Sequence, residues 1–215
     1  MRSGSLLILA IAALFILTLS PQSNAGELES KWLVELQLGM WSGSDGTNVV
    51  VAPGNVVSNY DGNGVMGGIG FGRWLQEDVA LILTARGHGI DGETTINYTG
   101  VTNRTASVTF LGLGARYYPL RSTLKSKTRP YLSMSAGPVI GYEARNQSGL
   151  VVINEENTEA AVGGHVGVGA TFLLGKLVYL GAEAGASLMT DFNNQISGRI
   201  NYSTGEFGLI VGVRF

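Results

Sequence analysis

The 215-residue sequence predicts an all-β fold, namely an eight-stranded antiparallel up-and-down transmembrane β-barrel whose apolar side chains face outward. Three observations lead to this prediction. Hydrophobic residues alternate with glycine or polar residues along eight runs of about ten residues. The connections between the runs alternate between long and short. The chain is also poor in charge and rich in glycine, with 14% charged residues and 32 glycines.

The first 25 residues predict a cleaved signal peptide. Arg2 supplies a positive charge, Leu6 to Leu19 is an unbroken apolar run, and Ser23-Asn24-Ala25 presents small residues to a signal peptidase. Fourteen helical residues reach about 21 Å, which is short of the roughly 30 Å hydrocarbon core of a bilayer. We therefore expect cleavage after Ala25 and a barrel domain over residues 26–215.

Eight runs are predicted as strands. In the first run, Val34, Leu36 and Leu38 form an apolar face, and Glu35 and Gln37 lie on the opposite face. The clearest runs are Trp32 to Trp41, Ala160 to Phe172, Val178 to Leu188 and Phe207 to Phe215. The other four are Val65 to Trp74, Val79 to His88, Val108 to Tyr118 and Tyr131 to Tyr142. Pro138 lacks a backbone donor and predicts a bulge or a site near the rim.

The connections predict which end of the barrel is which. Long polar segments are expected at 42–64, 89–107, 143–159 and 189–206, and short turns at Leu75 to Asp78, Pro119 to Arg129 and Leu173 to Lys176. Long loops lie outside the cell and short turns in the periplasm in such barrels. An aromatic girdle is expected at the periplasmic rim, formed by Trp32, Trp74, Tyr117, Tyr118, Tyr131, Phe172, Tyr179 and Phe215.

Three segments carry a family resemblance. The closing residues Phe207, Leu209, Val211, Val213 and Phe215, at every second position, resemble the C-terminal signature of bacterial outer-membrane barrels. The segments 111–119 (LGLGARYYP) and 130–137 (PYLSMSAG) resemble strands of the small OmpA/OmpX-type barrels. The resemblance implies location in the outer membrane of a Gram-negative bacterium, contact with outer-membrane lipids, and recognition of the last strand by the assembly machinery. It specifies a fold and no activity.

A water-soluble barrel of the lipocalin kind would also alternate, but with its apolar face inward. The face opposite the apolar one is dominated by glycine, as at Gly112, Gly167 and Gly185, and carries few ionisable residues. A solvated outer wall would carry many more charges. The membrane barrel is therefore favoured.

Charged residues of the glycine-rich face are expected inside the lumen. They are Glu35, Arg86, His88, Arg116, His165, Glu183 and Arg214. The favoured interpretation is a network of ion pairs that fills a lumen too narrow for a channel. The alternative is a narrow pore in which the same charges select the solute.

No catalytic, cofactor or metal site is predicted. The chain has no cysteine, and its two histidines lack metal-ligand spacing. Ser187 is the nearest serine to His165 on a neighbouring strand, but we expect it at another height in the barrel, so that no Ser-His-acid arrangement forms.

The function is therefore expected in the loops, as a non-enzymatic structural or surface-interaction role toward an extracellular or host ligand. The valine runs Val49-Val50-Val51 and Val56-Val57 of the loop Ser42 to Asn63 could extend a hairpin or contact such a partner. The alternatives are a narrow pore and a lipid-modifying enzyme. The near balance of 14 basic and 16 acidic residues argues against nucleic acid as a partner.

Overall fold

The computed structural model describes residues 32–43, 63–97, 100–119, 127–149, 152–175 and 177–215. These residues form a closed barrel of eight antiparallel strands in sequence order, which confirms the predicted fold class. The strands are β1 Trp32–Gly43, β2 Asn63–Trp74, β3 Val79–Asn97, β4 Gly100–Tyr117, β5 Thr128–Gly149, β6 Ile153–Leu174, β7 Val178–Met189 and β8 Thr204–Arg214. Within the described ranges, no helix is long and apolar enough to cross a bilayer.

The barrel closes between its first and last strands. Trp32 and Phe215 exchange two backbone hydrogen bonds of 2.8 and 3.0 Å, and β1 pairs with β8 from Leu33 to Gly43. Closure satisfies the backbone groups that a sheet edge would leave unpaired, and each such group costs several kcal/mol in lipid.

The two faces of the wall are chemically opposite. On β1, Leu36 and Leu38 are 59% and 72% exposed on the outside, whereas Leu33 and Glu35 are buried inside. The same alternation runs along β8, where Leu209 and Val211 are exposed. The barrel thus has an apolar outer band, and its buried charges lie inside, as predicted for the membrane version of the fold.

Two segments that the sequence predicted as long polar connections are mostly parts of strands. The predictions for 89–107 and 143–159 were wrong, because β3 and β4 pair as far as Asn97 and Gly100, and β5 and β6 as far as Gln147 and Ile153. Strands β3 to β6 have 18 to 22 residues, and the other four have 11 or 12. The extensions form a four-stranded sheet, here called the protruding sheet (residues 89–97, 100–107, 143–149 and 153–162).

The remaining connections agree better with the predictions. Leu75 to Asp78 is a short turn, and β7 and β8 are joined by residues 190–203, here called the plug loop. Of the predicted loop 42–64, residues 44–62 lie outside the described residues, as do their valine runs and the predicted signal peptide.

Pro138 lies within β5 without a bulge. Phe110 pairs with Val139 and Leu113 with Ala136, so the register of β4 and β5 is the same on both sides of the proline. The predicted bulge is absent, but the predicted alternative of a site near the rim fits, because Pro138 pairs with Val162, where the protruding sheet begins. The proline faces outward, and the ladder to β4 lacks the two pairs between those positions.

Candidate functional site

The charged residues that the sequence predicted to face the lumen are buried there. Period two directs them inward from six strands, and each is at most 8% exposed. These residues are Glu35, Arg86, His88, Arg116, His165, Glu183 and Arg214.

Glu206 is a further buried carboxylate, which the sequence pattern did not place in the lumen. It is 6% exposed. Its Oε2 atom accepts a hydrogen bond from Arg86 Nη1 (3.2 Å). Its Oε1 atom accepts one from the Ser187 hydroxyl and lies 3.1 Å from His88 Nε2. His165 Nδ1 lies 3.4 Å from Glu206 Oε2.

Glu183 completes this group from the neighbouring strand β7. Its Oε1 atom accepts a hydrogen bond from Arg86 Nη2 (3.0 Å) and lies 3.0 Å from His165 Nε2. Arg86 therefore bridges two carboxylates. We call Arg86, His88, His165, Glu183, Ser187 and Glu206 the Glu206 cluster.

A second ion pair lies nearer the short-turn end. Arg116 donates to both oxygens of Glu35, with 3.0 Å between Nη2 and Oε2, and the Tyr179 hydroxyl donates to Glu35 Oε1 at 2.6 Å. The guanidinium of Arg116 lies 4.2 Å from the ring centroid of Tyr131. Two charge-assisted hydrogen bonds, a phenol and an aromatic face thus surround this pair.

Aromatic side chains close the short-turn end of the lumen. Trp74, Tyr118, Tyr131 and Tyr179 are 2% to 6% exposed and pack with Leu33, Ala80, Ile82 and Ile210. The predicted girdle was wrong for these four rings, which face inward, whereas Trp32, Tyr117, Phe172 and Phe215 face outward. A Cβ atom at Gly169 would lie 2.6 Å from the Tyr131 hydroxyl oxygen, so glycine there makes room for the ring.

The plug loop closes the other end. Phe192, Ile196 and Tyr202 are at most 7% exposed and pack against Trp41, Met66, Val108, Phe110 and Val139 inside the barrel mouth. A Cβ atom at Gly141 would lie 2.8 Å from Ile196 Cγ1, so the loop approaches the wall closely. Ser197 and Gly198 have positive φ angles of 49° and 80° at the tip of the loop.

Two carboxylates of the protruding sheet hold the plug loop. Glu143 accepts a hydrogen bond of 2.5 Å from the Ser197 amide and one from Arg104 Nε, and Glu159 accepts one from the Asn194 side chain. Burial alone would raise the pKa of the Glu143 carboxyl. The hydrogen bonds from Arg104 and Ser197 and the charges of Arg104 and Arg145 outweigh this effect, so the pKa lies below its ordinary value. Glu143 lies beyond the apolar band, since the outward-facing residues beside it on the adjacent strands are polar, namely Thr105, Ser107, Glu156 and Thr158.

The space between the two ion-pair groups is small. A cavity of about 30 Å³ lies among inward-facing side chains that include Glu35, Thr84, Arg86, His165 and Glu183. Because one water molecule needs about 10–15 Å³ of such volume, the cavity has room for about two of them.

Ser187, His165 and Glu183 lie in the order of a Ser-His-acid catalytic triad. The prediction that Ser187 lies at another height was wrong: it pairs directly with His165 across β6 and β7, and its Oγ atom lies 3.2 Å from His165 Nδ1. However, the serine hydroxyl donates to Glu206, and the second imidazole nitrogen faces Glu183.

Arg214 lies apart from the Glu206 cluster. Arg214 is buried at the short-turn end of β8, eight positions along the strand from Glu206. The outward-facing residues of this strand are 41% to 61% exposed, and they are Phe207, Leu209, Val211, Val213 and Phe215.

No protein-family model matches the chain, and no curated protein matches its sequence. Solved structures do. Ail, the attachment invasion locus protein of Yersinia pestis, in complex with the heparin analogue sucrose octasulfate, is 12% identical, with 87% of this chain and 99% of that chain covered and a TM-score of 0.56. Neisserial surface protein A is 13% identical, with 86% and 97% covered and a TM-score of 0.57.

A major outer membrane protein from Thermus thermophilus is 12% identical, with 86% of this chain and 99% of that chain covered and a TM-score of 0.54. The fold is that of the small outer-membrane eight-stranded barrels. At these identities the likeness extends to the fold, and the roles of individual residues rest on the geometry of this chain.

Proposed function

We propose that this chain is a non-enzymatic protein of the bacterial outer membrane that acts through the protruding sheet and loops. The short turns would face the periplasm and the protruding sheet the cell exterior. The observation that carries the proposal is the combination of a lumen filled at both ends with a sheet that extends beyond the apolar band.

A pore is the weaker candidate. A solute would have to pass the plug loop, the Glu206 cluster, a cavity for about two waters and four inward-facing aromatic rings. The charges are paired with one another, whereas a selectivity ring presents its charges to the solute. We propose instead that the pairs stabilise the barrel, since separating a buried pair leaves an uncompensated charge.

An enzyme is also the weaker candidate, in spite of the alignment of Ser187 with His165. A serine nucleophile must give its proton to the histidine, and here the hydroxyl donates to Glu206. His165 is 2% exposed, and its ring nitrogens lie 3.0 Å from Glu183 Oε1 and 3.4 Å from Glu206 Oε2, so two carboxylates enclose the imidazole and leave no room for a substrate beside it. If Ser187→Ala cells showed an altered lipid A or phospholipid profile by mass spectrometry, the enzymatic alternative would replace this proposal.

The edge of β6 is the part of the protruding sheet best suited to a partner. Among the described residues, pairing of β6 with β7 stops at Gly163, and Val162 completes the contact through Thr190. Every second residue of a strand directs its backbone N–H and C=O to the same neighbouring strand. The backbone groups of Asn154, Glu156, Thr158 and Ala160 therefore point, like those of Val162, to the free edge of β6. Such an edge can add an extended strand of another protein.

Charge indicates which partner suits this edge. Glu155 and Glu156 are exposed beside it, and Glu159 lies on the same strand. Ail was solved with a sulfated, polyanionic sugar. Here the carboxylates would repel a polyanion, so we propose a protein segment without net negative charge as the ligand.

Export and assembly follow from the same proposal. Residues 1–25 would direct secretion and then be removed. The outward side chains from Phe207 to Phe215 would be recognised by the assembly machinery, as the resemblance of this strand implies, and would then contact lipid.

Planar-bilayer recording of the purified, heat-modifiable barrel tests the closed lumen. We expect no stable conductance steps from the wild type, and none after deletion of residues 191–202, because the aromatic rings still close the other end. Steady unitary steps from the wild-type protein would contradict the closed lumen and establish the pore.

Adherence of producing cells to immobilised matrix proteins and to immobilised heparin tests the partner. Thr158→Pro removes one donor from the open edge, and Thr158→Ala is its matched control because it keeps the backbone N–H. We expect binding to protein that only the proline variant loses. Binding to heparin alone would contradict the proposed ligand.

A further inference from the structure

One charged side chain lies on the outer wall of the described strands between the short-turn end and the protruding sheet. This residue is Arg73, the last outward-facing position of β2, where Val65, Ile69 and Phe71 precede it on the same face. It pairs across the sheet with Trp32 of β1 and Leu81 of β3. An arginine therefore stands at the edge of a wall that is otherwise apolar.

Aromatic rings hold this guanidinium. The Arg73 Cζ atom lies 5.3 Å from the centroid of the Trp32 ring, and the Trp32 ring stacks on Phe71 with 5.0 Å between centroids and 21° between planes. Within the described part of the chain, Arg73 has no hydrogen-bond acceptor or ion-pair partner for its side chain. Among the described residues, therefore, nothing occupies its N–H groups, and they can donate to a bound ligand.

The position of Arg73 determines what that ligand can be. An arginine on the lipid face costs about 2–4 kcal/mol at the bilayer midplane and about 0–1 near the interface, so Arg73 belongs at the level of the headgroups. Guanidinium binds phosphate with two parallel hydrogen bonds. Tryptophan prefers this same interface, so Trp32 and Arg73 fit one lipid, with the ring beside the glycerol region and the cation on the phosphate.

We propose that Arg73, Trp32 and Phe71 form a binding site for the phosphate of an anionic phospholipid in the periplasmic leaflet. The inference rests on the membrane placement proposed above. It adds a specific lipid contact to that placement and is independent of the surface partner and of the closed lumen.

Native mass spectrometry of the folded barrel tests the site. The protein would be released from detergent micelles that contain equal amounts of phosphatidylglycerol and phosphatidylcholine with the same acyl chains. Heat-modifiable migration of each variant first shows that the barrel has folded, so a failure of the fold is distinguished from a failure of the site.

The wild type should retain phosphatidylglycerol in preference to phosphatidylcholine. Arg73→Gln should lower this preference about five-fold, which corresponds to about 1 kcal/mol for one basic side chain at an anionic membrane surface. Arg73→Lys should keep part of the preference, because it retains the charge and loses the planar fork. Arg199→Gln is the matched control: Arg199 lies 6.0 Å from the Tyr202 ring in the plug loop, at the opposite end of the barrel.

Two results would overturn the proposal. One is an equal lipid preference of wild type and Arg73→Gln. The other is loss of bound phosphatidylglycerol from the wild type in millimolar inorganic phosphate, which would identify a site for free anions and not for a lipid.

Discussion

Replacement of Glu206 by glutamine tests whether the lumen charges stabilise the barrel. The carboxylate is bonded to Arg86, His88 and Ser187, and the glutamine amide keeps its size while removing its charge. Removal of one partner from a buried ion pair costs about 3–5 kcal/mol. Arg86 retains its 3.0 Å bond to Glu183, so we expect the lower end, about 3 kcal/mol.

The free energy of unfolding can be measured by urea titration of the barrel refolded into short-chain phosphatidylcholine vesicles, with tryptophan fluorescence and gel migration as independent probes. Glu156→Gln is the matched control, because this exposed carboxylate lies outside the lumen. We expect less than about 0.5 kcal/mol for the control.

A double variant isolates the charge effect. Arg86→Met in the Glu206→Gln background removes the cation that the first substitution leaves under-compensated, so it should cost less than Arg86→Met in the wild type. A loss below about 1 kcal/mol for Glu206→Gln, or strict additivity in the double variant, would refute a stabilising role of the Glu206 cluster.

Three further predictions concern the two closed ends. Ile196→Ala should free the plug loop and increase hydrogen exchange of residues 190–203, since truncation of a buried isoleucine costs about 2–5 kcal/mol. Acid should release the same loop, because the pKa of Glu143 is lowered on folding. The stability that the carboxylate contributes is complete above the ordinary value of 4.5 and is lost as pH falls through the lowered value. Hydrogen exchange of the loop in the Glu143→Gln variant should therefore lack this pH dependence. In urea titrations, Tyr131→Ala should cost about 3–5 kcal/mol, and Tyr131→Phe much less, because its buried hydroxyl has no partner among the described residues.

The alternation of apolar and small residues was sufficient to predict a closed barrel whose apolar side chains face outward and whose charged side chains face inward. It predicted β1 and β7 to within two residues, because both faces of these strands differ sharply in polarity. It failed for the protruding sheet, where residues such as Thr105 and Asn146 lie on a wall that is polar on its outer face. There, backbone pairing with neighbouring strands continues without a hydrophobic signal.

The three errors in the lumen have two physical origins. Tyr117 and Tyr118 are adjacent, so strand geometry places one outside and the other inside. The alternation of the strand alone could have placed Tyr118 among the inward-facing aromatic rings. Glu206 likewise follows from the alternation, since it precedes Gly208 by two positions on β8. The height of Ser187 beside His165 could not be predicted, because it depends on the stagger between β6 and β7 that closure imposes.

The order of layers along the lumen links its stability to its closure. The ion pairs lie between the two hydrophobic clusters that close the ends of the lumen, and each cluster contacts the charged residues beside it. At the short-turn end, the Tyr179 hydroxyl donates to Glu35. At the other end, the Trp41 ring lies edge to face against His88, with 6.0 Å between centroids. Exclusion of water by the two hydrophobic clusters strengthens the attraction within the pairs, because Coulomb energies fall as the effective dielectric constant rises. Opening either end would therefore weaken the pairs themselves, so a conducting state of this barrel would cost part of the stability that the filled lumen provides.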